Sequence, residues 1–296
     1  MTLLSSSSGL KTETNSLRLC FYGAGSMAEA IVRGLLDRGL AEPSRVSMLN
    51  RSNMGRLEEL ADRYGVQVSS ELDAKAQRSM LHEADVIFLS MKPKDAADAI
   101  RKLQGIVTSK QMIVSVIAGL SIRTIEQLLG QPAPIVRTMP NTSSTIGLGA
   151  TGISFSSSVD DNQRQLAQTM FEAIGLTAIV EEPLIEAVTG VSGSGPAYVY
   201  YLMEAMIEAG VKLGLSEEAS RDLTVQTVLG AAQMVKSTGE NPAELRRKVT
   251  SPNGSTQAAI ETLDKHDFSN GIIRAVARAA ERASEMGADI ERSALS

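Results

Sequence analysis

Eight consecutive residues, VTSPNGST from Val249 to Thr256, hold the densest chemistry in the chain. Pro252 and Gly254 mark a turn, the hydroxyls of Thr250, Ser251, Ser255 and Thr256 flank it, and the helical run QAAIETLD follows. A helix beginning here turns backbone N–H groups outward, among them those of Gln257, Ala258 and Ile260, and its macrodipole adds partial positive charge. One hydroxyl is enough to cap a helix. The surplus on this turn suits a carboxylate instead, with a plain helix cap as the alternative. A second helix start built of small residues, GSGPAY, is placed to face it across a pocket.

The other chemical cluster lies near the N-terminus. Gly23-Ala-Gly25-Ser26-Met27-Ala28 follows the apolar run LRLCFY and opens an amphipathic helix. This is the G-x-G-x-x-A turn that receives a dinucleotide pyrophosphate. Gly23 permits the turn, Gly25 admits the phosphate to the backbone, and Ala28 allows close helix–strand packing. The next strand ends Asn50-Arg51-Ser52-Asn53 with no carboxylate to bind ribose hydroxyls. Arg51, with Asn50 and Ser52 beside it, suits a ribose 2′-phosphate and favours NADPH, with NADH as the alternative cofactor. An ordinary polar strand end is the competing reading. In SMKPKD, Pro93 ends a further strand over the presumed ligand edge and Lys92 is placed toward the cofactor, unless it is simply solvated. Met139, Pro140 and Asn141 are expected to shape the floor under the nicotinamide.

Strong acids and bases are scarce. The only histidines, His82 and His266, fall in surface segments, and no His, Cys or carboxylate cluster has metal-ligand spacing, so no metal is expected. The lone cysteine, Cys20, sits in an apolar run and reads as core, which fits a reducing cytoplasm.

Alternating patterns must position these groups. LRLCFY, RVSMLN and ADVIFLSM read as strands, with SMAEAIVRGLLDRG and MGRLEELADRYG as helices between them; AADAIRKLQG, QMIVSVIAG, IRTIEQLLG and PIVRTMP continue the series. This predicts an α/β, doubly wound parallel sheet of Rossmann type, followed by an all-α region. The expected organisation is a disordered leader over 1–16, a dinucleotide domain over 17–182 and a helical substrate and dimerisation domain over 183–296. In the second half Gly175 to about Glu182 reads as a last strand. Pro196 then starts a helix that ends near Gly214, and Ser216 caps the next. The long Ala-rich helices carry wide apolar faces of the kind that pack against a second copy.

Net charge of −5 with no basic stripe argues against nucleic acid, and no apolar run reaches the roughly 18 residues of a membrane span. The expected partner besides a second copy is a small molecule.

Taken in order, FYGAGSMAEAI, SMKP, RTMPNT, GSGPAYVY and VTSPNGST resemble the pyrroline-5-carboxylate reductase family from about residue 17 to 285. SMKP brings Met91 into the cofactor set beside Lys92 and Pro93. The resemblance implies NAD(P)H-dependent reduction of a cyclic imine to L-proline by a cytoplasmic enzyme. It also implies an interlocked dimer, often built up into decamers. Carried onto this chain, Ser251, Gly254, Ser255 and Thr256 hold the substrate carboxylate, and Thr256 lies near the ring nitrogen as the expected catalytic group, with Tyr198 and Tyr201 in reserve. The family loop usually reads T-S-P-G-G-T-T; Asn253 replaces its first glycine, and Asn tolerates positive φ better than most residues. Two alternatives stand beside this reading. One is a reductase of another small imino or 2-hydroxy acid, weakened because the helix from Pro196 has no lysine before Lys212. The other is a catalytically silent NADP-binding sensor.

Overall fold

The computed structural model describes residues 14–295. Eight strands form one sheet in the order β3-β2-β1-β4-β5-β6-β7-β8: β1 Leu19–Tyr22, β2 Val46–Asn50, β3 Gln67–Ser70, β4 Val86–Leu89, β5 Met112–Ser115, β6 Ile135–Met139, β7 Gly149–Phe155 and β8 Gly175–Ile179. The first six are parallel in the doubly wound order 3-2-1-4-5-6, β7 runs antiparallel to β6, and β8 is parallel to β7. The central strands LCFY, VIFL and MIVS are buried along their whole length, as expected where helices cover both faces.

Strand alternation divides the core in two. On one face Leu19 and Phe21 meet Phe88, whose ring stacks on Phe21 at 4.2 Å between centroids, together with Ile31 and Leu35 of α1 (Ser26–Asp37), Leu57 and Leu60 of α2 (Met54–Tyr64) and Phe171 of α6 (Asp161–Glu172). On the other, Cys20, Ile87 and Ile113 pack with Leu81 of α3 (Ala74–Glu83), Ile100 of α4 (Pro93–Arg101) and Ile125 and Leu128 of α5 (Ile122–Leu129).

The sheet has more members than the sequence pattern shows. Between MGRLEELADRYG and ADVIFLSM lie β3 and α3, and β7 and α6 precede the expected last strand. β3 is the edge segment QVSS, where half-exposed Val68 is the only aliphatic residue, so it has no apolar alternation to read. In β7 the residues Gly149 and Gly152 suit close approach, since Cβ atoms there would meet Ser144 and Val188 side chains within 3 Å. Pro93 is the first residue of α4, where its missing N–H costs nothing.

Residues 1–13 of the expected leader lie outside the described residues; 14–16 form a helical turn with Thr14 buried.

The chain divides into two compact units, one running to Gly193 and including residues from Ala279 onward, the other Ser194–Arg278. The first takes in α7 (Ile185–Val188) and a π-helical turn, Thr189–Gly193. The second contains α8 (Gly195–Lys212), α9 (Glu217–Thr238), α10 (Pro242–Lys248), α11 (Ser255–Lys265) and the start of α12 (Phe268–Leu295). Ser216 accepts from Ala219 N at 3.1 Å and caps α9, as expected. This unit has almost no interior: α8, α10 and α11 contain no buried residue, while Tyr201, Leu213, Leu229, Val249 and Ile273 are all more than half exposed. Each such side chain would gain about 1.5–3 kcal/mol on burial, and an apolar surface of this extent marks an interface between proteins.

Candidate active site

The cofactor candidates collect at the carboxyl ends of β1, β2 and β4, where the strand order reverses and open α/β sheets bind ligands. Gly23 has φ +116°, and a Cβ there would lie 2.5 Å from the Ser90 carbonyl carbon and 2.6 Å from Met91 N. Gly25 differs: its φ is −81° and a Cβ would meet nothing within 4 Å. It is the N-cap of α1 and supplies no side-chain cap, leaving the N–H groups of Ser26, Met27 and Ala28 without acceptors among the described residues. Ala28 is fully buried while Gly25 and Ser26 are exposed. These open donors fit a pyrophosphate.

Two residues that sequence reasoning assigned no role hold this turn. Ser90 donates its hydroxyl to the Gly23 carbonyl at 2.7 Å, and its N–H bonds the Tyr22 carbonyl at 2.9 Å. Arg56 Nε donates to the Ala24 carbonyl at 3.4 Å, while the rest of its guanidinium binds Glu29 and Glu59. Neither residue type stands out in the sequence, because each acts on a backbone carbonyl that only the folded turn presents. Glu29 also accepts from Arg63 at 2.9 Å and the Tyr64 hydroxyl at 2.8 Å. Burial alone would raise its pKa, but the bonds from Arg56 and Tyr64 hold it below the usual carboxylate range.

At the end of β2 the Asn50 side chain accepts from Ser52 and Asn53 N–H, shaping the loop, and Asn53 caps α2 through Arg56 N at 3.0 Å. The Arg51 side chain is 71% exposed, and among the described residues its guanidinium pairs with Asp95 alone, at 3.3 Å. Such a surface pair is worth about 0–1 kcal/mol and yields readily to a phosphate. Lys92 is the exposed N-cap of α4, and Met91 packs against the apolar cluster below it. Of the three residues expected to form a floor, Asn141 is a buried tie. It donates to the Ser192 carbonyl and accepts from Ala150 N, both at 3.1 Å, so both ends of its amide are bonded within the protein.

The second unit brings Ser251, Gly254, Ser255 and Thr256 onto one turn. Asn253 has φ +59°, in the left-handed region that the replaced glycine would favour. Gly254 N bonds Ser251 O at 3.0 Å, closing the turn; a Cβ on Gly254 would lie 2.5 Å from Ser251 Oγ. Gly254 is the N-cap of α11 and again gives no side-chain cap.

The available donors are fewer than expected. Thr250 spends its hydroxyl on Arg246 O at 2.7 Å, and Ala258 N bonds Gly254 O, so both are withdrawn. Ile260, a full turn inside α11, is likewise too deep to offer a free N–H, since only the first turn lacks partners. What remains is the N–H of Ser255, Thr256 and Gln257 and the hydroxyls of Ser251, Ser255 and Thr256, none bonded among the described residues. The plain-cap alternative fails because no hydroxyl caps α11.

The same test sorts the other helices. Side chains cap α2, α3, α5, α6, α9 and α10, whereas α1, α4, α7, α8 and α11 start uncapped. Apart from that of the single-turn α7, these uncapped starts carry the motifs GAGSMA, SMKP, GSGPAY and SPNGST.

His82 and His266 are exposed, the first bonded to Ile106 O at 3.2 Å, the second C-capping α11. Tyr201 is exposed on α8. Lys212 closes α8 and pairs with Glu208 at 2.5 Å. Cys20 is fully buried, and burial pushes its thiol up to about 12. Among the described residues no group of three His, Cys, Asp or Glu could hold a metal, and no helix is long and apolar enough to cross a membrane.

A doubly wound sheet with an open phosphate turn, in a chain that also carries a turn of unbonded N–H groups and hydroxyls, defines the class of NAD(P)-dependent oxidoreductases. Comparison narrows the class. Residues 182–286 match the family described as pyrroline-5-carboxylate reductase dimerisation, and residues 18–119 match NADP oxidoreductase coenzyme F420-dependent. The chain is 40% identical to pyrroline-5-carboxylate reductase 1 of Bacillus subtilis over 94% of its own length and 92% of the relative's. It is also 40% identical to the Pseudomonas aeruginosa reductase, over 91% and 96%. Among solved structures it resembles the Coxiella burnetii reductase (TM-score 0.84, 37% identity, 92% of this chain and 99% of that one). The Plasmodium falciparum reductase with NADP bound is similar too (TM-score 0.82, 27% identity, 93% and 99%). The chain belongs to the pyrroline-5-carboxylate reductase family, and is an NAD(P)H-dependent oxidoreductase acting on a cyclic imine.

Proposed function

We infer that the chain reduces 1-pyrroline-5-carboxylate to L-proline with NADPH as the preferred cofactor, and that the turn at α11 binds the substrate carboxylate. The observation that carries this reading is the uncapped start of α11, with three N–H groups and three hydroxyls unspent on a single turn. Hydrogen bonds to a charged group contribute about 1.5–3 kcal/mol each, and the helix N-terminus adds to them. Ser251, Gly254, Ser255 and Thr256 hold the carboxylate, and Thr256 Oγ1 also accepts from the ring N–H.

When bound, NADPH supplies the hydride that reduces the C=N carbon. Gly23, Gly25 and the N–H groups of Ser26, Met27 and Ala28 take its pyrophosphate. Asn50, Arg51 and Ser52 take the ribose phosphate, and Met91, Lys92 and Pro93 border the nicotinamide half. The imine nitrogen of the substrate is basic enough to hold its own proton near neutral pH, so the protein needs no strong acid beside it. The work of the chain is orientation, which agrees with a turn that carries hydroxyls and amides and no carboxylate or imidazole.

The exposed apolar helices and the dimerisation match support a homodimer in which a second copy completes the core of the helical unit. Further assembly into a decamer rests on family resemblance. A single buried thiol agrees with a cytoplasmic location.

The test is loss of NADPH absorbance with purified protein and pyrroline-5-carboxylate, beside Thr256→Ala and Thr256→Ser. Turnover by the wild type, lost in Thr256→Ala and largely kept in Thr256→Ser, is expected. Turnover equal in all three would remove Thr256 from the mechanism; NADPH bound without turnover would overturn the reaction itself.

A further inference from the structure

The geometry points to Gly287, near the C-terminal end of α12, as a positioning residue for the nicotinamide half of the dinucleotide site. The argument rests on the dinucleotide reading above. In a doubly wound sheet the two mononucleotide halves divide at the switch point, so β1–β3 serve the adenine side and β4–β6 the nicotinamide side. The loop Val116–Ser121 leaves the carboxyl end of β5, in the middle of that second half.

Three anchors hold this loop. At its start Thr138 Oγ1 donates to the Ser115 carbonyl at 2.9 Å, and Val116 N bonds Leu89 O at 3.1 Å. At its end Glu182 accepts from Ile122 N at 2.7 Å. In between, Gly119 sits at φ +77° with no hydrogen bond of its own among the described residues, and what meets it is the backbone of α12.

The contact is tight in both directions. A Cβ on Gly287 would lie 2.6 Å from the Gly119 carbonyl oxygen, and a Cβ on Gly119 would lie 3.0 Å from Gly287 N and 3.3 Å from Ala283 O. Neighbouring residues make the placement firm. Ala283, one turn earlier, is buried, and Ile290 packs against the apolar cluster that contains Ile117 and Leu120. Glycine is a poor helix former, and of the two glycines in α12 Gly271 has open space around it while Gly287 meets the loop. Here it lets the helix lie directly on the loop. The obstacles to a side chain are backbone atoms on both sides, so the loop itself has to move when one is added.

The experiment titrates NADPH and 2′,5′-ADP, which lacks the nicotinamide half, against wild type, Gly287→Ala and Ile290→Ala. Thermal melts of the full-length proteins establish that each variant is folded. Gly287→Ala is expected to weaken NADPH roughly tenfold, as an overpacked contact does, and to leave 2′,5′-ADP within about twofold. Ile290→Ala loosens the same helix end by removing atoms rather than adding them, and is expected to move the affinities in the same direction. NADPH bound by both variants as by wild type would overturn the inference. So would equal loss of both nucleotides, the mark of a merely structural role. Wild type that binds neither nucleotide would overturn the dinucleotide reading on which the inference rests.

Discussion

Gly23→Ala and Gly25→Ala make the same chemical change two residues apart, and the structure sets different consequences for each. At position 23 the new Cβ would be driven to 2.5 Å from Ser90 C and 2.6 Å from Met91 N, atoms of a backbone that cannot rotate away. The φ of +116° adds a conformational cost of about 1–2 kcal/mol, and overpacking adds about 1–3 kcal/mol. A loss on the order of 3 kcal/mol follows, or a fall in Tm of roughly 6–12 °C at about 2–4 °C per kcal/mol. At position 25 φ is −81° and the methyl meets nothing, so only the weaker N-cap preference of Ala is felt, at most about 1 kcal/mol. That methyl nevertheless stands before the open N–H groups of α1. Melting curves without nucleotide, then NADPH titrations, separate the two. Gly25→Ala should melt near wild type and bind NADPH weakly, and Gly23→Ala should lose stability first. A Gly25→Ala protein that bound NADPH as wild type does, or melted as early as Gly23→Ala, would refute the reasoning.

Arg51→Ala should weaken NADPH about 10- to 100-fold, the scale of hydrogen bonds to a charged group, with NADH unchanged; equal losses would remove Arg51 from the 2′-phosphate. Cys20, pushed up to about 12 and buried, should resist thiol reagents until the protein unfolds, because the thiolate is the reactive form; prompt labelling of native protein would contradict this. Glu29 titrates below the usual carboxylate range when folded, so its contribution is present above the unfolded pKa and is lost as pH falls through the depressed folded value. Acid melts of Glu29→Gln should therefore show a flatter loss of stability than wild type over that window, and parallel curves would count against it.

Much of the dinucleotide unit was legible because its signals are local. LCFY, VIFL and MIVS are apolar runs too short for helices, and the G-x-G-x-x-A turn ties one of them to α1. β3 was not legible: QVSS gains its strand conformation from pairing with β2, Ser47 to Gln67 onward, and not from any pattern of its own. β7 was hidden in the same way, its glycines chosen for the close approach of Ser144 and Val188. The hydroxyls of Ser251, Ser255 and Thr256 gather on one turn, as their spacing suggests, but Thr250 does not join them. Thr250 looks like its neighbours in sequence and is consumed by the end of α10.

Residue types and their spacing determined where helix starts are left uncapped, since turns and helix starts depend on a few consecutive residues. They also determined that Asn253 could stand in a left-handed position. Which donors stay free was decided only in the tertiary structure. So was the use of Ser90 and Arg56 to hold the Gly23–Gly25 turn, and the seating of Gly287 on Gly119. Each depends on backbone atoms far apart in sequence coming within hydrogen-bond or contact distance. A hydrogen bond forms between the groups that the fold brings within reach in the right geometry, and the linear order of residues does not record that.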